Sequence, residues 1–173
     1  LDGRVSAAAF SSADGLHAAE GVGADLVATL ERKDEGWAFA VEADWTDGEA
    51  YVHPIYTKAG IRALLRGTVS DAFVEFSRVS LVIDGVDGIE ARARFKRPDL
   101  SIDRLAATIA RADLAVVGPQ FVAPLIAPGR PGSLSFDGLV SAGVVIEGGR
   151  MHGLDVALDG VSYADADTTL AVG

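Results

Sequence analysis

The sequence predicts a mainly β fold, an antiparallel sheet with one short helix near residues 117–127. Three observations lead to this prediction. Apolar and charged residues alternate along Ile89–Lys96, and a period of two sends successive side chains to opposite faces of a strand. Turn-forming Asp-Gly and Gly-Gly pairs recur at intervals of ~8–12 residues. Much of the hydrophobic content, 49% of the chain, is alanine and valine, and such small side chains suit a strongly curved sheet or leave room for a ligand.

Each predicted strand runs between two turn signals. Residues 37–45 alternate with aromatic side chains on one side, and residues 154–159 alternate more loosely. From the turn signals we expect strands at 1–10, 16–32, 37–45, 49–52, 60–69, 72–83, 88–96, 100–113, 134–146, 150–163 and 167–172.

Two segments need a choice between helix and strand. In 101–113, Ile102, Leu105 and Ile109 fit a helical face, whereas Leu105, Ala107 and Ile109 fit a strand. We favour a strand because the neighbouring segments are β. Residues 116–126 form an apolar run that contains two prolines, so we expect a short helix or an apolar crossover there.

Length and composition limit the classes of protein. A chain of 173 residues is expected to form one domain, 1–173. The net charge is -10 and the chain has no cluster of Lys and Arg, which disfavours binding of nucleic acid. The chain has no cysteine, which excludes disulfides and thiol nucleophiles. Because it begins within a predicted strand, we interpret it as a fragment of a longer protein.

The sequence contains no motif of an active site. The histidines at 17, 53 and 152 are isolated, and a turn role is the simpler interpretation of His53. The segment Asp165-Ala166-Asp167 could hold a cation or form a polar turn. No serine lies in a GxSxG elbow, and no glycine-rich segment precedes an amphipathic helix. We therefore predict no enzyme, no catalytic residue, no metal and no cofactor.

Several segments together carry a resemblance to a known family. They are the first strand Leu1–Val5, the second strand with its turn Asp14–Val22, the pair of strands around Gly36–Glu49 followed by His53-Pro54, and the later segments 134–139 and 148–161. The chain resembles the AsmA-like envelope proteins of Gram-negative bacteria, the group that includes YdbH and TamB. The resemblance lies in the alternation of apolar and polar residues and in the Gly-Asp turns between strands.

The resemblance implies a fold and a function. The sheet is expected to curl into an open groove that conducts phospholipid, or another ligand with acyl chains, between the inner and outer membranes. It implies a periplasmic location, an anchor in the inner membrane in the full-length protein, and contacts with other envelope proteins. No anchor is present in this sequence, so membrane contact is expected only through segments outside it.

The predicted lining of the groove is the apolar side of the alternating strands. It comprises Trp37, Phe39, Val41, Trp45, Ile89, Ala91, Ala93, Phe95, Val156 and Leu158. If the sheet instead closes into a β-sandwich, the same side chains form an ordinary core, and the chain is a structural or scaffolding module of the envelope without a ligand. A third interpretation, a carbohydrate-active enzyme, would need two carboxylates that face each other across a cleft.

Overall fold

The computed structural model of the chain describes residues 1–128 and 131–166. Within them, ten strands form one antiparallel sheet that does not close into a barrel, which confirms the predicted mainly β fold. The strands are β1 Asp2–Ser11, β2 His17–Lys33, β3 Gly36–Val52, β4 Ile55–Lys58, β5 Arg62–Val69, β6 Phe73–Ile83, β7 Val86–Lys96, β8 Ser101–Asp113, β9 Leu134–Glu147 and β10 Arg150–Asp165.

The sheet is a meander in which strands that follow one another in sequence lie side by side. The spatial order is β1-β2-β3-β5-β6-β7-β8-β9-β10, and short β4 pairs with the last part of β3. Most connections are short, because antiparallel neighbours can be joined without a crossover, but a longer helical connection joins β8 to β9. Among the described residues, β1 and β10 are the edge strands of this order, and β4 pairs only with β3.

The structure corrects the prediction around residues 46–48. The predicted strands 37–45 and 49–52 are one strand, β3, and the expected turn between them does not exist. Gly48 has φ +83° and sits against Gly21 of the neighbouring strand, where a Cβ on Gly48 would lie 2.4 Å from the Gly21 carbonyl carbon. Because Gly48 has no Cβ, the two backbones can approach closely within the sheet. β4, which follows a cis His53-Pro54 bond, was not predicted. The strand predicted at 167–172 lies outside the described residues.

The ambiguous segment 101–113 is strand β8, as predicted. It ends at Asp113, whose Oδ1 accepts a hydrogen bond of 2.9 Å from the backbone N–H of Ala115. This side-chain cap satisfies one N–H of the helix that follows.

A helical connection, which we call the crossover, joins β8 to β9. It consists of α1 Leu114–Val117, a π-helical turn Gly118–Val122 and α2 Ala123–Ile126. The helix predicted near 117–127 is confirmed and starts three residues earlier. Pro119 and Pro124 each lie in the first turn of a segment, where the missing N–H is least harmful.

The crossover packs against one end of the sheet. The buried side chains of the contact are Ala112, Leu114 and Val117, surrounded by Val86, Ile109, Phe121, Val122, Phe136 and Val140. Gly118 is required beside Phe136, because a Cβ there would lie 2.6 Å from the ring. This is where the main core of the described residues lies.

The rest of the sheet is a single layer. The accessible surface is 11416 Å², whereas a compact monomer of this mass exposes about 8,000 Å². In the part of the chain that the structure describes, no large side chain is fully buried. The two packed layers of a β-sandwich are therefore not the architecture of these residues.

Candidate functional site

One face of the sheet is apolar across the central strands. Directly paired residues on neighbouring strands share a face. From Ala91 in β7 the pairing leads to Val79 and Leu65 in one direction and to Ala107 and Val144 in the other. All five are apolar, so the alternation seen in single strands is in phase between strands. We call this surface the apolar face.

The pairing brings the ten predicted lining residues to this one face. Val41 pairs with Leu65, whose partner Val79 pairs with Ala91. On the other side, Ile89 pairs with Ile109 and so leads to β9 and β10. Members of the same strand follow by alternation. All ten predicted residues therefore lie on the apolar face: Trp37, Phe39, Val41, Trp45, Ile89, Ala91, Ala93, Phe95, Val156 and Leu158. Their proposed contact with lipid stays a prediction.

An aromatic row crosses the middle of the apolar face. The Phe39 and Phe76 ring centroids lie 5.5 Å apart at an interplanar angle of 77°. The next ring, Phe95, lies 6.1 Å from Phe76 at 89°. Edge-to-face packing of this kind favours a fixed arrangement of rings. The row therefore stiffens the sheet while it presents ring surface to whatever occupies the face.

Exposure differs between the centre and the outer part of the apolar face. Ala93, in the central strand β7, is 8% exposed. In edge strand β10, by contrast, Val156 and Leu158 are 57% and 63% exposed. Ala93 is thus covered by its neighbours, whereas the two side chains of β10 are open to solvent.

The opposite face is polar and carries ion pairs. Arg78 donates hydrogen bonds of 3.1 and 3.3 Å to the two carboxylate oxygens of Glu90. This hydrogen bond, with help from Ser80, lowers the pKa of Glu90 below its ordinary value. Arg4 pairs with Asp25, and Arg62 pairs with Asp44, on the same face. These charged groups keep one side of the sheet in water.

The crossover covers one end of the apolar face, a feature that the sequence did not show. Phe121 and Val122 pack beside Ile109 and Val140, which belong to β8 and β9. From there the π-helical turn reaches β4, where the Gln120 Nε2 donates a hydrogen bond of 3.0 Å to Thr57 Oγ1. The apolar face is therefore bounded at this end.

A cavity of about 660 Å³ lies between β4 and the crossover. Its lining is rich in tyrosine and proline and contains a few polar groups: Tyr51, His53, Pro54, Tyr56, Lys58, Pro119, Gln120, Pro124 and Pro128. The Tyr51 hydroxyl and the His53 Nδ1 are hydrogen bonded at 2.7 Å. The sequence indicated only a turn role for His53. The signal that could have found the cavity is the recurrence of tyrosine and proline at 51–56 and 119–128, but only the fold brings these segments together.

The described residues contain no group of three or more His, Cys, Asp or Glu side chains that could hold a metal ion. Of the predicted Asp165-Ala166-Asp167 segment, Asp167 lies outside them. No helix in the described part of the chain has both the length and the apolar character needed to cross a membrane.

Comparisons with protein-family models, with curated proteins and with solved structures find no match to this chain. The resemblance to AsmA-like proteins therefore stays a prediction.

Proposed function

We propose that the apolar face binds the acyl chains of lipids and forms part of a conduit for phospholipid across the periplasm. The observation that supports binding is the continuity of this face across the central strands, with no second layer over it among the described residues. The transport role and the periplasmic location rest on the resemblance to AsmA-like proteins.

The magnitude of hydrophobic transfer is sufficient for binding. Burial of one methylene group contributes about 0.8 kcal/mol. An acyl chain that half-buries about ten methylenes on the face would therefore gain about 4 kcal/mol. This gain is offset in part by the ordering of the chain. The resulting weak affinity suits a conduit, in which lipid must also leave.

The chemistry of the face suits movement as well as binding. Contacts between hydrocarbon and apolar side chains have no preferred direction. A chain shifted by one strand finds similar partners, because Leu65, Val79, Ala91, Ala107 and Val144 follow one another across the sheet. Lipid can thus change position without breaking a specific bond, and no single residue is required for recognition.

A scaffolding module without a ligand is the alternative. It would need another layer, from a partner protein, to cover the apolar face. The exposed fractions of 57% for Val156 and 63% for Leu158 leave the outer part of the face accessible to either occupant. We favour lipid because the resemblance to AsmA-like proteins implies it.

Two neighbouring alanines of β8 provide the test. Ala107 lies on the apolar face and pairs with Ala91, whereas Ala106 lies on the polar face and pairs with Arg92. We expect Ala107→Asp to abolish binding of a fluorescent fatty acid and to slow phospholipid transfer between vesicles, because it places a charge in the path of the acyl chain. Ala106→Asp adds the same charge on the other face and is the matched control.

Circular dichroism of both variants would establish that the strands remain. Loss of binding and transfer in Ala107→Asp alone would support the proposal. Equal behaviour of the two folded variants, or no binding by the unmodified chain, would refute it. Binding without vesicle transfer would refute the transport role and leave the lipid-binding role.

A further inference from the structure

We propose that the cavity between β4 and the crossover binds an organic phosphate ester, with the Lys58 ammonium group as its charge partner. This inference concerns a separate cavity and does not depend on lipid conduction by the apolar face. The cavity volume, about 660 Å³, lies within the range of ~300–1,000 Å³ typical of small-molecule sites.

Lys58 stands out among the basic residues of the first 61 positions. Arg4 is paired with Asp25, and Lys33 is paired with Glu31. Arg32 lies over the ring of Trp37, 5.2 Å from its centroid. Lys58 has no carboxylate or aromatic partner among the described residues, and it is one of the residues that line the cavity.

The residue opposite Lys58 explains why its ammonium group is unpaired. Glu49 pairs directly with Lys58 across the β3–β4 ladder, a geometry in which opposite charges commonly meet. Instead, the Glu49 carboxylate accepts a hydrogen bond from the Tyr56 hydroxyl. The acid is therefore held by the tyrosine, and the ammonium group is left for a ligand.

Neutral donors lie around the same cavity. The hydrogen bond of Tyr51 to His53 Nδ1 leaves Nε2 of His53 without a partner among the described residues. The amide nitrogen of Gln120 uses one N–H for Thr57 and has a second one. A cation together with two N–H donors is a set that binds phosphate oxygens, and lysine commonly supplies the charge in such sites.

The lining also requires an organic part in the ligand. Phosphate alone would contact only the polar tips, whereas Tyr51, Tyr56, Pro119 and Pro124 present apolar surface around them. A phosphate ester can contact the polar tips with its phosphate group and the apolar surface with its organic group. Its source is either a free metabolite or a lipid headgroup, which share the same chemistry at Lys58.

The test uses calorimetric titration of the full chain with glycerol 3-phosphate and, separately, with a short-chain phosphatidylglycerol. The variants are Lys58→Met, which removes the charge at similar volume, and Lys58→Arg, which keeps it. Lys33→Met is the matched control, because it makes the same change in net charge at a residue outside the cavity, the last residue of β2. Acetate tests whether any anion binds.

We expect Lys58→Met to weaken binding at least tenfold, Lys58→Arg to retain most of it and Lys33→Met to change it less than twofold. Lys58-dependent binding of glycerol 3-phosphate supports a free ester, whereas Lys58-dependent binding of phosphatidylglycerol alone supports a lipid headgroup. The proposal is overturned if neither ligand binds, if Lys58→Met binds like the unmodified chain, or if acetate binds equally well.

The Ala107→Asp variant separates this proposal from lipid binding by the apolar face. If the cavity acts alone, that variant loses fatty acid binding and still binds the phosphate probe. Loss of both ligands in the folded variant would overturn the independence of the cavity.

Discussion

The rings of Phe39 and Phe76 pack edge to face over Gly67, with their centroids 5.5 Å apart. Gly67 lies in β5 between the two strands that carry the rings and pairs with both phenylalanines. The missing side chain in the middle strand makes room for the large ones on each side. Large and small residues thus alternate across the sheet, and this is how a single layer acquires tight packing.

Gly67→Ala should destabilise the fold. A Cβ at this position would lie 2.0 Å from the Glu75 carbonyl oxygen and 2.6 Å from the Phe39 Cζ. Because the first of these atoms is backbone and cannot rotate away, we expect a loss of about 2 kcal/mol in the free energy of unfolding. Urea denaturation followed by circular dichroism measures it. Gly143→Ala is the control: its nearest atom would be 3.8 Å away, so its stability should be unchanged or slightly higher.

Val156→Thr should weaken lipid binding without a loss of stability. The two side chains have the same shape, and Val156 is 57% exposed in edge strand β10. A contact that loses one methyl group forfeits about 0.8 kcal/mol, or about fourfold in affinity for a fatty acid. The free energy of unfolding should change by less than about 0.5 kcal/mol. Thr108→Val, the reverse change on the polar face, should leave fatty acid affinity as it is. A rise in affinity with Thr108→Val would contradict the assignment of the faces, because the added methyl group would then contact the lipid.

Asp113→Ala should loosen the crossover. Its carboxylate caps the first helical turn through the Ala115 N–H. Loss of an N-cap costs about 1 kcal/mol, and we expect this decrease in the free energy of unfolding. Asp113→Asn keeps the acceptor and should restore most of the stability. If alanine and asparagine give the same stability, the cap has no role in holding the crossover.

Glu90 should titrate below the ordinary range of a glutamate. Its hydrogen bond from Arg78, followed by that from Ser80, lowers the pKa of Glu90 in the folded chain. A lowered pKa means that ionised Glu90 stabilises the fold above its unfolded pKa. This contribution is lost as the pH falls through the folded pKa. Carboxyl-carbon NMR should follow this titration directly, and Arg78→Gln should raise the pKa of Glu90.

The control for this titration is Arg62→Gln. Arg62 pairs with Asp44, whereas Glu90 pairs with Arg78, so removal of Arg62 should leave the Glu90 titration curve in place. An equal effect of the two arginine variants would show that general charge, rather than the Arg78 hydrogen bond, sets the pKa of Glu90.

Most of the sheet could be predicted because its signal is local. The alternation in Ile89–Lys96 depends only on neighbouring residues, and the strand it predicts is β7. The same local rule failed at Gly48, because a glycine after Asp47 is also the signature of a turn. What places Gly48 inside β3 is its contact with Gly21, and a contact between distant residues leaves no local pattern.

The apolar face and the cavity differ in the same way. Ala91 could be assigned to the face because each strand specifies its own apolar side. The cavity depends on Gln120 reaching Thr57, 63 residues earlier in the chain. The contact exists only because the crossover leaves β8 and crosses the end of the sheet toward β4. The apolar run with its two prolines predicted a helix there, but the direction of the helix is set by tertiary packing.

The outer strands have a consequence for growth of the structure. In the part of the chain that the structure describes, β1 pairs only with β2, and β10 pairs only with β9. An additional strand docked on either border would widen the hydrocarbon-facing surface by about 4.8 Å and leave the existing ladder intact. The area available to hydrocarbon can therefore increase by the addition of single strands.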